Sequence, residues 1–166
     1  MKMEQNYSRS TDQTDNTAAR RILVDADACP QGVRRIIERT CSRSGIELLF
    51  VTDTNHEIST EHGNVIIVDQ GHDSVDLAII NRLRAKDIVV TQDYGLASLA
   101  LAKRAKAIHP SGKIYNESNI DFLLMDRHLS AKSRRAGERF SRQRRRDDRD
   151  DSSFTGNLGK LLNETT

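Results

Sequence analysis

The chain has 166 residues, a hydrophobic share of 36%, no Trp and a formal net charge of only +2. That length fits one compact domain with a core of its own, which needs no disulfide staples. The two cysteines, Cys29 and Cys41, form no CxxC pair, which argues against a zinc ribbon or a thioredoxin-like motif, and no apolar run approaches a membrane span.

Residues 1–20 are polar and lack the apolar core of a signal peptide, so they read as a disordered leader. With two thiols expected to be reduced, this points to a cytoplasmic protein. From Arg21 the pattern alternates. Ile22-Leu23-Val24 is a first strand, followed by the acidic stretch Val24 to Pro30. Val33, Ile36 and Ile37 make a helical stripe, continued at Thr40 or Cys41 and stopped at Gly45. Ile46 to Val51 is a second strand, and Val65 to Val68 a third, apolar throughout as in a strand buried on both faces. Asp73 or Ser74 caps a helix carrying Val75, Ala78, Ile79 and Leu83. Ile88-Val89-Val90 is a fourth strand, and a helix from about Gly95 to Ala105 follows. Ala107-Ile108 is a short fifth strand, stopped by the turn Pro110-Ser111-Gly112. Ile114-Tyr115 forms a small added strand, and Asn119 to His128 a helix with Ile120, Leu123 and Leu124 inward.

Strands separated by helices imply parallel pairing through right-handed crossovers, hence a three-layer α/β/α domain over residues 21–130. Residues 131–166 form a basic and then acidic tail. Its last segment, with Phe154, Leu158, Leu161 and Leu162, reads as a short amphipathic helix docking back on the domain.

Aspartates recur where strands end. Asp25 and Asp27 follow the first strand, Asp69 the third and Asp93 the fourth, while Asp73 and Asp76 open the intervening helix. In a parallel sheet these ends point the same way, so the carboxylates can converge. Convergent carboxylates repel, and a divalent cation removes the conflict. Two such ions suit phosphodiester hydrolysis. Singly, each Asp is equally at home as a cap or turn residue, and Asp25-x-Asp27 alone is shared by phosphotransferases and glycosyltransferases. The five histidines lack zinc spacing, and there is no GxxxxGK[ST] or GxGxxG loop. Cys29 reads as a tucked loop thiol, or as a low-pKa thiol if a helix begins near Pro30. The arginine-rich run after Ala131 is the strongest nucleic-acid signal, with a solvated tail as the plain alternative.

Val24-Asp-Ala-Asp-Ala-Cys-Pro30, Gly71-His-Asp-Ser-Val-Asp76, Asp87-Ile-Val-Val-Thr-Gln-Asp93 and Gly95-Leu-Ala97 together resemble the YaiI/YqxD family of uncharacterised bacterial proteins. His109-Pro-Ser-Gly112, Asn119-Ile-Asp-Phe-Leu-Leu124 and Arg127-His-Leu-Ser-Ala-Lys132 extend the match to about residues 21–137. That family is placed among PIN-like domains, which resemble metal-dependent ribonucleases. The resemblance implies strand order 3-2-1-4-5, with Asp25 and Asp93 neighbours at the switch point of the sheet. It also implies that Asp25, Asp76 and Asp93 are the acidic site positions, with Asp27 and Asp73 as supplements. The Gly/Pro-rich segment that relatives tend to carry after the Arg134-Arg135-Ala136-Gly137 stretch is replaced here by arginines.

The expected function is thus Mg²⁺- or Mn²⁺-dependent phosphodiester hydrolysis of RNA. Asp25, Asp76 and Asp93 hold the metal and carry catalysis, Asp27 and Asp73 support them, and Thr91, Lys132, Arg134 and Arg135 bind substrate. The alternative is a non-catalytic RNA- or protein-binding module on the same scaffold, since the first helix offers only Glu38 as an acidic residue. A DxD phosphatase passing through an aspartyl phosphate on Asp25 is a third reading.

Overall fold

Apolar runs and the residues that end them set the elements of the computed structural model, which describes residues 20–135 and 145–164. All but Arg20 of the expected leader, and residues 136–144 of the basic run, lie outside the described residues. In chain order the elements are β1 (Arg21–Asp25), α1 (Gln31–Ser44), β2 (Glu47–Asp53), β3 (Asn64–Val68), α2 (Ser74–Arg82), β4 (Ile88–Val90), α3 (Tyr94–Ala102), β5 (Lys106–Ile108), β6 (Ile114–Tyr115), α4 (Glu117–Arg135) and α5 (Asp148–Asn163). They form one six-stranded sheet of order β3-β2-β1-β4-β5-β6. The first five strands are parallel, in the order that the family resemblance implied, and β6 is the small added strand, antiparallel to β5.

The layers follow from side-chain alternation along the central strand. Ile22 and Val24 of β1 face Val33, Ile37 and Cys41 of α1 and Phe154, Leu158 and Leu161 of α5. Leu23 faces the other way, into a cluster with Ile79 of α2, Leu96, Ala97 and Ala100 of α3, and Ile120 and Leu123 of α4. Every residue of β1 and β4 is buried, as the unbroken apolar runs require.

Two features lock the C-terminal helix into this core. Gly112, at φ 94°, lies so close to α5 that an added Cβ would sit 2.5 Å from Ser153 Oγ and 2.6 Å from the Phe154 nitrogen. At the other end, the Arg20 guanidinium donates to the carbonyls of Leu161 and Leu162 at 2.8 and 2.7 Å, satisfying groups that a helix C-terminus leaves unpaired. The helix opens with a capping box of Asp147 and Asp150. It spans 16 residues, and α4 runs through Arg135, so Lys132 and Arg135 stand on a helix rather than in a tail. At the amino end of the sheet, Arg21 and Asp87 form a buried ion pair of 2.6 Å, and Asp87 also accepts the Arg84 amide at 2.9 Å. No described helix is long and apolar enough to cross a membrane.

Candidate active site

Pairing of β1 with β4 sets Val24 beside Val90, so the next residues, Asp25 and Thr91, stand side by side at the carboxyl end of the two strands. Thr91 Oγ1 donates to Asp25 Oδ2 at 3.0 Å and accepts the Asp93 amide at 2.9 Å. One hydroxyl thereby ties both strand-end aspartates into one arrangement. The buried Tyr115 hydroxyl donates to the Thr91 carbonyl at 3.2 Å, fixing the backbone beneath.

Asp25 is only 8% exposed. Burial pushes its carboxyl from 3.8 up to about 6, against the pull of the Thr91 hydrogen bond, and the charges of Asp76, Asp27 and Asp93 push the same way. Asp76 is in the first turn of α2. Its carboxyl is also raised, first by burial and then by the charges of Asp93 and Asp73, with Arg127 and His72 opposing. The carboxylates named from the sequence therefore act on one another at the carboxyl end of the sheet.

Their hydrogen bonds differ. Asp93 caps α3, its Oδ1 accepting from the Gly95 and Leu96 amides at 2.7 and 3.0 Å, while Oδ2 accepts from Arg127 Nη1 at 3.1 Å. Asp73, at φ 60°, precedes α2 without a side-chain cap, and its exposed carboxylate meets His72 Nδ1 at 2.7 Å. Asp69 is an exposed loop residue. Asp27 turns toward the end of β2, where it accepts from Thr52 Oγ1 at 2.5 Å and from the Asp53 amide at 3.3 Å.

Asp27 joins a second group. One ligand atom from each of Asp27, Asp53 and His56 lies within 4.8 Å of the others, and among the described residues no other three His, Cys, Asp or Glu side chains meet so closely. Asp25, Asp76 and Asp93 thus interact at longer range. His56 Nδ1 lies 2.9 Å from Asp53 and 3.4 Å from Asp27. That hydrogen bond lowers the Asp53 carboxyl below its ordinary range and, with the Asp27 charge, raises the imidazole above its own.

Sequence reasoning missed Asp53, His56 and Arg127. For Asp53 the signal was present, since it too is an aspartate at a strand end. Of the substrate residues expected, Thr91 is buried and occupied in holding Asp25. Lys132 and Arg135 are exposed on α4, and the side chain of Arg134 lies outside the described residues. Cys29 is the tucked thiol, buried and pushed up to about 12 by that burial, which overturns the low-pKa alternative.

Comparison with known proteins agrees with these motifs. The profile of a family described as "Uncharacterized BCR, YaiI/YqxD family" matches residues 23–164. A UPF0178 protein of Clostridium novyi is 45% identical over 144 residues, covering 87% of this chain and 95% of its own length. One from Clostridium kluyveri is 45% identical over 142 residues, 86% of this chain and 92% of its own. One from Exiguobacterium sibiricum is 44% identical over 147 residues, 88% of this chain and 99% of its own. No solved structure matches significantly. The chain belongs to the YaiI/YqxD family.

Proposed function

We propose that this protein is a Mg²⁺- or Mn²⁺-dependent phosphodiesterase acting on RNA, built on a PIN-like scaffold. The observation that carries the reading is Asp25: a buried carboxyl raised to about 6, crowded by the charges of Asp76, Asp27 and Asp93. A structure keeps such mutual repulsion when the site has a use for it.

The donor set fits a hard cation, because Asp25 and Asp76 offer only oxygen. Asp93 would join them once Arg127 releases its Oδ2. Asp27, Asp53 and His56 offer a second, mixed oxygen and nitrogen set, which suits Mn²⁺ better than Mg²⁺. When bound, a divalent cation supplies counter-charge to these carboxylates and Lewis acidity toward a phosphate oxygen. The chain's own residues do the rest. Thr91 orients Asp25, and Asp93 anchors the start of α3. Arg127 presents at the rim a guanidinium able to grip phosphate in bidentate fashion.

A path for a polyanion leads away from this site. Helix α1 begins at Gln31, directly after the acidic stretch, and a groove of about 780 Å³ runs between it and the 57–62 loop. Arg34, Arg35, Arg39 and Arg43 line it. None of the four has a hydrogen bond or ion pair among the described residues. Glu57 and Glu61 belong to the loop wall, and Glu38, among the arginines on the helix side, accepts the Thr60 hydroxyl. These arginines suit backbone contact better than the α4 cations do.

The test is incubation of the purified protein and of Asp25→Asn with end-labelled single-stranded RNA and Mn²⁺. Cleavage by the parent and none by the variant is expected. Equal cleavage by both, or none across varied RNAs, refutes the proposal. The second reading, a non-catalytic RNA-binding module, is favoured by the engagement of both Asp93 oxygens. It requires RNA binding that needs no metal and weakens steeply with salt.

A further inference from the structure

Helix α4 is apolar on two faces. Ile120 and Leu123 are buried, Leu124 packs against the same cluster, and Arg127 reaches Asp93. Those four positions share one side of the helix. Phe122, Met125 and Leu129 lie on another side and are 71%, 65% and 51% exposed. Spacings of three and four residues align them as a single stripe, with Lys132 next in line. Beside α4, helix α3 adds Leu99 at 53% exposure. A helix covering one core needs one apolar stripe, and a second one open to water marks an interface.

We propose that this stripe is the contact of a two-fold dimer, in which α4 packs antiparallel against α4 of a second copy. Charge selects that occupant. The first half of α4 holds Glu117, Asp121 and Asp126 and no lysine or arginine; the second half holds Arg127, Lys132, Arg134 and Arg135. Arg127 is turned to Asp93, while Asp121, Lys132 and Arg135 pair with nothing among the described residues. An antiparallel pair lays the acidic half of each helix on the basic half of its partner, so Asp121 meets the partner's cations twice. It also sets the helix dipoles in opposition, which favours the pair. A parallel pair would lay acid on acid and base on base. The stripe is self-complementary as a two-fold contact demands: Met125 lies near the axis, with Phe122 and Leu129 on either side. Methionine is well suited to meeting a copy of itself there, because its flexible thioether adapts to irregular gaps.

Sedimentation equilibrium of the full chain and its variants tests this. The parent is expected at twice its 18.7 kDa mass, and Met125→Glu as a folded monomer by circular dichroism. Asp121→Lys is expected to weaken the dimer about tenfold. Adding Lys132→Glu and Arg135→Glu to the same chain should restore it, because the two-fold places each reversed charge opposite its new mate. A monomeric parent at about 0.1 mM, a dimer indifferent to Met125→Glu, or a triple variant weaker than Asp121→Lys alone would overturn the proposal.

Discussion

Replacing Asp25 by Asn should make the protein more stable at neutral pH. The folded carboxyl is raised from 3.8 to about 6 by burial and by three like charges. Below 3.8 the group is protonated in both folded and unfolded chains and carries no penalty. Between 3.8 and about 6 the unfolded chain ionises while the folded one holds its proton, so stability falls as pH rises. Above that window the full cost is present, about 3 kcal/mol at 1.36 kcal/mol for each pKa unit. Asn keeps the Thr91 hydrogen bond and the volume but cannot ionise, so it recovers much of that energy. For a chain of this size the gain is roughly 5–10 °C in melting temperature. Thermal melts of parent and variant from pH 4 to pH 8 measure the difference, in which the carboxylates remote from Asp25 cancel. The two curves should converge at the acid end and separate through the window. Excess Mn²⁺ should then stabilise the parent, by about 2.7 kcal/mol at a hundred times the dissociation constant of the Asp25 site, and stabilise Asp25→Asn less, through Asp27, Asp53 and His56 alone. A variant no more stable than the parent at pH 7, with a difference independent of pH, would refute the reasoning.

Other consequences follow from the packing. Asp87→Ala strips a buried partner from Arg21 and should cost about 3–5 kcal/mol in urea denaturation. Phe154→Ala empties a fully buried position between α5 and the sheet, for a similar loss of about 3–5 kcal/mol. Gly112→Ala drives a Cβ into Ser153 and Phe154 at a left-handed φ, so limited proteolysis should release α5 from the variant well before the parent. Cys29 should react with a thiol reagent only after unfolding, because it is buried and its pKa is pushed up to about 12.

The central strands were legible because β1 and β4 are buried on both faces, so their apolar runs are unbroken. The strand order came from the family resemblance, which set Asp25 near Asp93; that Thr91 stands beside Asp25 and joins the two was not foreseen. The end of β2 was not legible either. The strand continues past Val51 through Thr52 and Asp53 because these pair with Ile67 and Val68 of β3. Polar residues held in a strand by a neighbour leave no hydrophobic trace, so Asp53 went unnoticed as a strand-end carboxylate. Helix α4 was placed by its inner stripe but ended too early, since Lys132 and Arg135 carry no stop signal and are good helix formers. The contact of Arg127 with Asp93 depends on how α4 crosses α3, a tertiary fact that spacing in sequence does not encode. The outer stripe of Phe122, Met125 and Leu129 became meaningful only when the fold left it uncovered.

The central claim is that Asp25 and Asp76 hold a divalent cation, and anomalous scattering from Mn²⁺-soaked crystals tests it most directly. The account predicts a peak about 2.1 Å from oxygens of both residues, absent in Asp25→Asn. A peak confined to Asp27, Asp53 and His56, or none at all, would contradict it.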